Sequence, residues 1–138
     1  MEKKLIKWTK KVSVHIDLID EQHKHLFQLI NETYKVANSR GRDSLDVLRI
    51  INELVDLSKA HFDTEEGYFK KWNYQGAREH ILQHAGLLIE VLKFKDRMTD
   101  GEDVLDGLLT FLKGWWEVHL KVWDHNYYLY FLEHHYIK

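Results

Sequence analysis

Proline is absent from the 138 residues of this chain, and glycine occurs only seven times. Because both residue types interrupt helices, their scarcity favours long helices joined by short connections. Breaks in the apolar periodicity predict helices at about residues 20–38, 44–72, 75–98 and 103–130, with Ser44 as candidate N-cap of the second. We therefore expect an all-α fold, an antiparallel up-down-up-down four-helix bundle with an N-terminal arm, forming one domain over residues 1–138.

The composition excludes several kinds of function. Twenty Lys and Arg residues oppose 22 Asp and Glu residues without a dense basic run, so nucleic acid is not an expected partner. The chain has no apolar stretch long enough to span a bilayer, and its charged N-terminal residues lack a signal-type apolar core, so we expect a cytoplasmic protein that does not associate with a membrane. Because cysteine is absent, any metal site must use nitrogen and oxygen ligands.

Histidines lie on the apolar seams of all four predicted helices. A bundle helix buries residues at alternating spacings of three and four. In the third helix this seam contains Ala77, His80, His84, Leu87, Val91, Phe94 and Met98. The other helices place His23, His61 with Glu65, and His119 at inward positions. A single core histidine is usually an ordinary packed residue. A buried polar group without a partner costs about 1–3 kcal/mol, however, so this set of inward histidines predicts a bound metal.

The positions of these residues along their helices predict that they meet at one end of the bundle. Two pairs, His61 with Glu65 and His80 with His84, have a spacing of four residues and share a helix face. In an up-down-up-down bundle, the start of the first helix lies level with the end of the second, the start of the third and the end of the fourth. The site would then collect five imidazoles and two carboxylates, from His23, His61, Glu65, His80, His84, His119 and Asp124.

This ordered set resembles the hemerythrin family, specifically its stand-alone bacterial members. The matching pieces are Trp8, residues 19–23 (IDEQH), His61 and Phe62 with Glu65 and Glu66, the pair His80 and His84, and Trp115 with His119 and Asp124. The resemblance implies a cofactor of two iron ions, a di-iron centre with an oxo or hydroxo bridge. It also implies that His80, His84 and His119 hold one iron, that His23 and His61 hold the other, and that Glu65 and Asp124 bridge them.

The spacing of the last two candidate ligands conflicts with a regular helix. Asp124 follows His119 by five residues, and an α-helix would point the two side chains about 140° apart. We therefore predict a local π-turn or a loosened segment between them, which would let the pair share a face. If the helix were regular there, Asp124 would be the first residue to be removed from the predicted ligand set.

Ligand counting on the implied centre leaves one position open for dioxygen or another small ligand, such as peroxide, azide or nitric oxide. Neutral imidazoles outnumber carboxylates, unlike in the carboxylate-rich di-iron bundles that activate oxygen. We therefore expect reversible oxygen binding by a carrier, store or supply protein, which is not an enzyme. Three alternatives stay open: a di-iron enzyme acting on peroxide or nitric oxide, an oxygen or redox sensor, and a structural zinc site. The sequence identifies no protein partner.

Aromatic residues near the histidines predict the lining of a ligand pocket. The candidates are Phe27, Phe62, Phe69, Trp115 and Trp116, although all of them would serve equally well as ordinary bundle core. In the hemerythrin family the position of Trp116 is more usually Leu, so this indole could narrow the open position. The histidines outside the matched pattern receive no role in the site: His15, His25, His125, His134 and His135.

Overall fold

The computed structural model describes residues 4–40 and 45–138, apart from the side chain of Arg40, and these residues form helices and no strand. The helices are α1 (Asp17–Arg40), α2 (Leu45–Lys71), α3 (Ala77–Thr99), α4 (Leu105–Val118) and α5 (His125–Glu133), preceded by a 3-10 turn at Lys10–Val12. A π-helical segment, His119–Asp124, joins α4 to α5, so the three run end to end as the fourth helix of the bundle. The predicted all-α four-helix bundle is confirmed.

Each helix of the bundle packs against its neighbours in sequence order. α1 contacts α2, α2 contacts α3, α3 contacts α4, and α4 closes the ring by contacting α1. Because the connections between successive helices are short, neighbours run antiparallel. The start of α1 therefore lies at the same end of the bundle as the end of α2, the start of α3 and the end of the fourth helix.

Two apolar clusters lie on either side of the buried histidines. The larger cluster includes Leu26, Ile30, Leu54, Leu87 and Leu112, and the smaller one includes Ile19, Phe69, Tyr127 and Phe131. Along α1, His23 lies between Ile19 of the smaller cluster and Leu26 of the larger one. Burial of each large apolar side chain contributes about 1.5–3 kcal/mol, so these clusters stabilise a bundle that encloses a polar layer.

Several helix boundaries differ from the predicted ones. α1 begins earlier, at Asp17. The carboxylate of Asp20 accepts hydrogen bonds from Ser13 Oγ (2.6 Å) and from the backbone N–H of Val14 (3.0 Å). These bonds hold the preceding turn against the start of the helix. α3 begins later, at Ala77, because Asn73 has a positive φ of 50° that turns the chain before the helix. Ser44, the candidate N-cap of the second helix, lies outside the described residues.

The N-terminal arm is attached to α1 by a side-chain amide. Asn31 Oδ1 accepts hydrogen bonds from the backbone N–H groups of Leu5 (2.8 Å) and Ile6 (3.0 Å), and Asn31 Nδ2 donates to Ile6 O (2.8 Å). Trp8 of the arm lies under the ammonium group of Lys24, at 4.4 Å from the ring centroid. Within the described part of the chain, no helix has the length and apolar character needed to cross a membrane.

Candidate metal centre

The fourth helix of the bundle changes from α to π geometry where the candidate ligands lie. In the segment His119–Asp124 the helix widens, and the N–H of His125 donates to the carbonyl of Leu120, five residues earlier. Residues five apart therefore share a face. His119 Nε2 lies 3.0 Å from Asp124 Oδ1. The predicted π-turn is confirmed, and it keeps Asp124 on the same side of the helix as His119.

All seven predicted ligand residues lie in one buried layer, with exposed fractions between 0% and 2%. Ligand atoms of six of them form two groups, each within 4.8 Å, with the carboxylate of Glu65 in both groups, whereas Asp124 belongs to neither. We call them the three-histidine group and the two-histidine group. The three-histidine group consists of Glu65, His80, His84 and His119. The two-histidine group consists of His23, His61 and Glu65.

Asp124 divides its two carboxylate oxygens between the groups. Its Oδ1 lies 3.1 Å from Nε2 of His80 and 3.0 Å from Nε2 of His119. Its Oδ2 lies 3.2 Å from Nε2 of His23, in the two-histidine group. Asp124 therefore lies between the two sets of imidazoles and presents one oxygen to each.

Glu65 divides its oxygens in the same way. Its Oε1 lies 3.0 Å from Nε2 of His84, in the three-histidine group. Its Oε2 lies 3.6 Å from Nε2 of His61 and 3.7 Å from Nε2 of His23. The two carboxylates thus lie between the same two sets of imidazoles, and each presents one oxygen to each set.

The polar atoms of this layer are suited to a metal because the chain itself does not satisfy them. A buried polar atom without a partner is rare and costs about 1–3 kcal/mol, and this layer contains many of them. Buried ligand atoms without a hydrogen bond include His23 Nε2, His61 Nε2, His84 Nε2, Glu65 Oε1 and both Oδ atoms of Asp124. The Nε2 atoms of His80 and His119 face each other at 3.1 Å. Cations between these atoms would satisfy them, so the residues fit a metal centre of nitrogen and oxygen ligands.

Hydrogen bonds from outside the layer orient two of the imidazoles. Nδ1 of His61 lies 2.7 Å from Gln22 Oε1, which can only accept, so His61 donates from Nδ1 and presents a bare Nε2 to the layer. Nδ1 of His84 lies 2.8 Å from Glu66 Oε2 and is oriented in the same way. Gln22 and Glu66 lie within the motifs that resemble the hemerythrin family, but no role for them was predicted from the sequence. Their position next to a ligand residue was the one sequence feature that could have indicated this role.

Charge and burial shift the pKa values of the histidines and carboxyl groups of the layer in opposite directions. At His23 and His80 burial lowers the pKa, but the carboxylates of Asp124 and Glu65 outweigh this effect and raise the pKa of both residues to about 9. At His61 burial dominates and lowers the pKa to about 3. Burial opposes ionisation of Glu65 and Asp124, yet the surrounding histidines hold the pKa of both carboxyl groups below the usual range. Both carboxyl groups are therefore ionised and available to a cation at neutral pH.

The five aromatic residues predicted to line a pocket lie around the two groups. Phe62 stacks on His84 with ring centroids 3.9 Å apart, and Trp115 stacks on His119 at 4.2 Å. Trp116 is fully buried, with its ring centroid 6.0 Å from those of His23, His61 and His119, and the Phe27 ring packs against it with centroids 6.3 Å apart. The aromatic Phe69, also a predicted shell residue, lies 4.8 Å from His80. The five histidines outside the layer are exposed: His15, His25, His125, His134 and His135.

Tyr127 contacts the layer and was missed by the sequence analysis. Its hydroxyl donates a 2.6 Å hydrogen bond to Glu65 Oε2, and both residues are fully buried. Burial raises the pKa of Tyr127 well above its usual value, so the hydroxyl keeps its proton. The one sequence feature that could have indicated this contact is that Tyr127 follows Asp124 by three residues, about one helical turn.

Substitution of Tyr127 by phenylalanine should lower the free energy of unfolding of the metal-free protein by about 2 kcal/mol, because a buried hydrogen bond to a charged group is lost. Urea denaturation with a chelator present measures the change. Tyr128→Phe, at the partly exposed next position, is the matched control and should change stability by less than about 0.5 kcal/mol. Equal stability of the two variants would contradict a stabilising hydrogen bond to Glu65.

Comparisons with known proteins identify a family. Residues 14–131 match the family model of the hemerythrin HHE cation binding domain. A bacteriohemerythrin of Pseudomonas aeruginosa is 31% identical over 120 residues, covering 87% of this chain and 77% of that protein. One from Clostridium acetobutylicum is 28% identical over 124 residues, covering 87% and 96%. A crystal structure of wild-type hemerythrin has the same fold, with a TM-score of 0.81 and 23% identity over 89% of this chain and 95% of that one.

Proposed function

The chain belongs to the hemerythrin family, and we propose that it binds dioxygen reversibly at a non-haem di-iron centre, as a carrier, store or supply protein. The family model describes a cation binding domain, and the buried histidine and carboxylate layer provides a metal site consistent with iron. One observation carries the proposal of two ions. Each of the two buried carboxylates presents one oxygen to the three-histidine group and the other to the two-histidine group.

We assign one iron to the three-histidine group and the other to the two-histidine group, with Glu65 and Asp124 shared. The distances from these carboxylates to both sets of imidazoles support the assignment. The two-histidine group offers one imidazole fewer. Its metal would therefore have a free position that a small ligand can occupy without displacing a protein ligand.

The protein residues favour binding of oxygen over its activation. When bound, the iron pair would supply the electrons for reversible reduction of dioxygen. The chain contributes five imidazoles and only two carboxylates, so it donates less negative charge than the carboxylate-rich di-iron bundles do. The aromatic rings of Phe62, Trp115 and Trp116 cover the layer and keep water and protons away from it. Both properties support an oxygen-binding protein rather than an enzyme.

An optical spectrum of the reduced, iron-loaded protein tests the proposed function. A visible band that appears when air is added and disappears under an argon purge, over repeated cycles, is the expected result. Irreversible oxidation on the first exposure to air would overturn reversible oxygen binding. If peroxide were then consumed catalytically, the enzymatic alternative would replace it.

Metal uptake should depend on pH because two of the proposed ligands carry protons in the metal-free protein. The pKa of His23 and His80 is about 9, so both must lose a proton before their nitrogens can bind a cation at neutral pH. The logarithm of the apparent affinity should therefore rise by about two per pH unit between about pH 7 and 8. Competition with a chelator of known affinity, using Co²⁺ or anaerobic Fe²⁺, measures this slope. A slope near zero would contradict the protonated state of these two residues.

A further inference from the structure

We propose that Trp116 is a hydrogen-bond donor for the small ligand of this site, and that its indole N–H makes the site prefer anionic ligands over neutral ones. The inference rests on the proposed function, because it requires a ligand beside the two-histidine group. It gives the indole a role in ligand selection in addition to filling space in the core.

Trp116 lies against the group that offers fewer protein ligands. Its side chain is completely buried, and its ring centroid lies 6.0 Å from that of His119, in the three-histidine group, and 6.0 Å from those of both His23 and His61. These two residues belong to the same metal-binding group. A small ligand at the free position of that metal would therefore bind next to the indole.

The indole N–H of Trp116 has no acceptor within the described part of the chain. Nε1 is buried and makes no hydrogen bond. Phe27 and Phe62 pack around the ring, with centroids at 6.3 Å and 5.8 Å, and these side chains offer no oxygen or nitrogen. More than about 90% of buried polar groups in folded proteins are paired. The imidazoles of His23, His61 and His119 are polar neighbours of the ring, so a small ligand bound among them could supply the missing acceptor.

An anionic ligand would benefit most from this donor. A hydrogen bond to a charged acceptor is roughly twice as strong as one between neutral groups, and the low dielectric of the aromatic surroundings strengthens it further. Azide and cyanate carry charge on terminal nitrogen or oxygen atoms and fit this description. A neutral ligand with a weak acceptor would gain much less from the same N–H.

Removing the indole N–H separates a donor role from a purely steric one, because the two predict changes of opposite sign. Trp116→Phe keeps an aromatic ring but removes the N–H and reduces the volume. If the indole only obstructs the position, the smaller ring should leave the affinity for an anion equal or higher and should speed its association. If the N–H donates to the ligand, the affinity should fall by at least about tenfold, through faster dissociation.

The experiment is an equilibrium titration of the oxidised, iron-loaded protein with azide, followed by stopped-flow rates, for the wild type and Trp116→Phe. Trp8→Phe is the matched control because Nε1 of Trp8 is also buried without a partner, but the ring lies in the N-terminal arm beside Lys24. We expect at least about tenfold weaker azide binding in Trp116→Phe and a change within about twofold in Trp8→Phe. Equal or tighter binding in Trp116→Phe would overturn the proposal.

A second measurement on the wild-type protein does not depend on how the variants fold. Addition of azide should shift the hydrogen-bond-sensitive indole band in the ultraviolet resonance Raman spectrum, and an unchanged indole band would overturn the proposal. Both measurements use the oxidised protein, so they give an answer even if the reduced protein fails to bind oxygen reversibly. Failure of the donor role and failure of the oxygen-binding function are therefore distinguishable.

Discussion

Glu65→Gln is expected to reduce the iron content from about two ions per chain to less than about half an ion, because this carboxylate is shared by both groups. Its oxygens lie within 3.0 Å of His84 and 3.6 Å of His61, and a neutral amide cannot provide two anionic oxygens. Glutamine has a similar volume and can still accept the hydrogen bond from Tyr127, so the fold should persist. Iron analysis after anaerobic loading and desalting measures the loss.

The matched control for this substitution is Asp63→Ala, in the same helix. Asp63 is exposed and lies on the outer face of α2, so its removal should leave the iron content unchanged. Glu66→Ala provides an intermediate case, because Glu66 orients His84 through a 2.8 Å hydrogen bond without belonging to either group. Loss of such a partner should weaken metal affinity by about 10–100-fold. Full iron retention in Glu65→Gln would rule out a bridging role for Glu65.

Removal of iron is expected to lower the midpoint of thermal unfolding by more than about 10 °C. A ligand present at about 1,000 times its dissociation constant contributes about 4 kcal/mol to stability, and each kcal/mol shifts the midpoint by several degrees in a domain of this size. Without metal, several buried nitrogen and oxygen atoms of the layer make no hydrogen bond, which adds to the loss. Calorimetry of the iron-loaded protein with and without a strong chelator measures the difference.

Glu65→Gln also serves as the control for the thermal experiment. A variant that no longer binds iron should unfold at the same temperature with and without the chelator, whereas the wild type should not. If the wild type also unfolded at one temperature under both conditions, the layer would not contain a tightly bound metal. The proposed centre would then have to be abandoned, whatever the optical spectra show.

The sequence predicted the position of the site because the relevant patterns are local. Spacings of four residues placed His61 with Glu65, and His80 with His84, on single helix faces, and the structure brings both pairs into one layer. The spacing of five between His119 and Asp124 predicted the π-turn, because only a wider helix allows both to face inward. Each of these two predictions depends only on the geometry of one helix.

Features that depend on contacts between elements could not be predicted in the same way. The hydrogen bond from Tyr127 to Glu65 joins the fourth helix to α2, and it depends on helix rotation and rotamers that no local pattern specifies. The early start of α1 depends on Asp20 reaching back to Val14. The sequence also left open what Trp116 would contact, and its contacts with His23, His61 and His119 emerged only from the structure.

The proposed di-iron centre is tested most directly by a diffraction experiment on crystals of the iron-loaded protein, with data collected on both sides of the iron absorption edge. Two iron peaks are expected in the anomalous difference map. One peak should lie among His80, His84 and His119, the other beside His23 and His61, with Glu65 and Asp124 between them. A single peak in the buried layer, or iron bound only at exposed histidines such as His134 and His135, would contradict it.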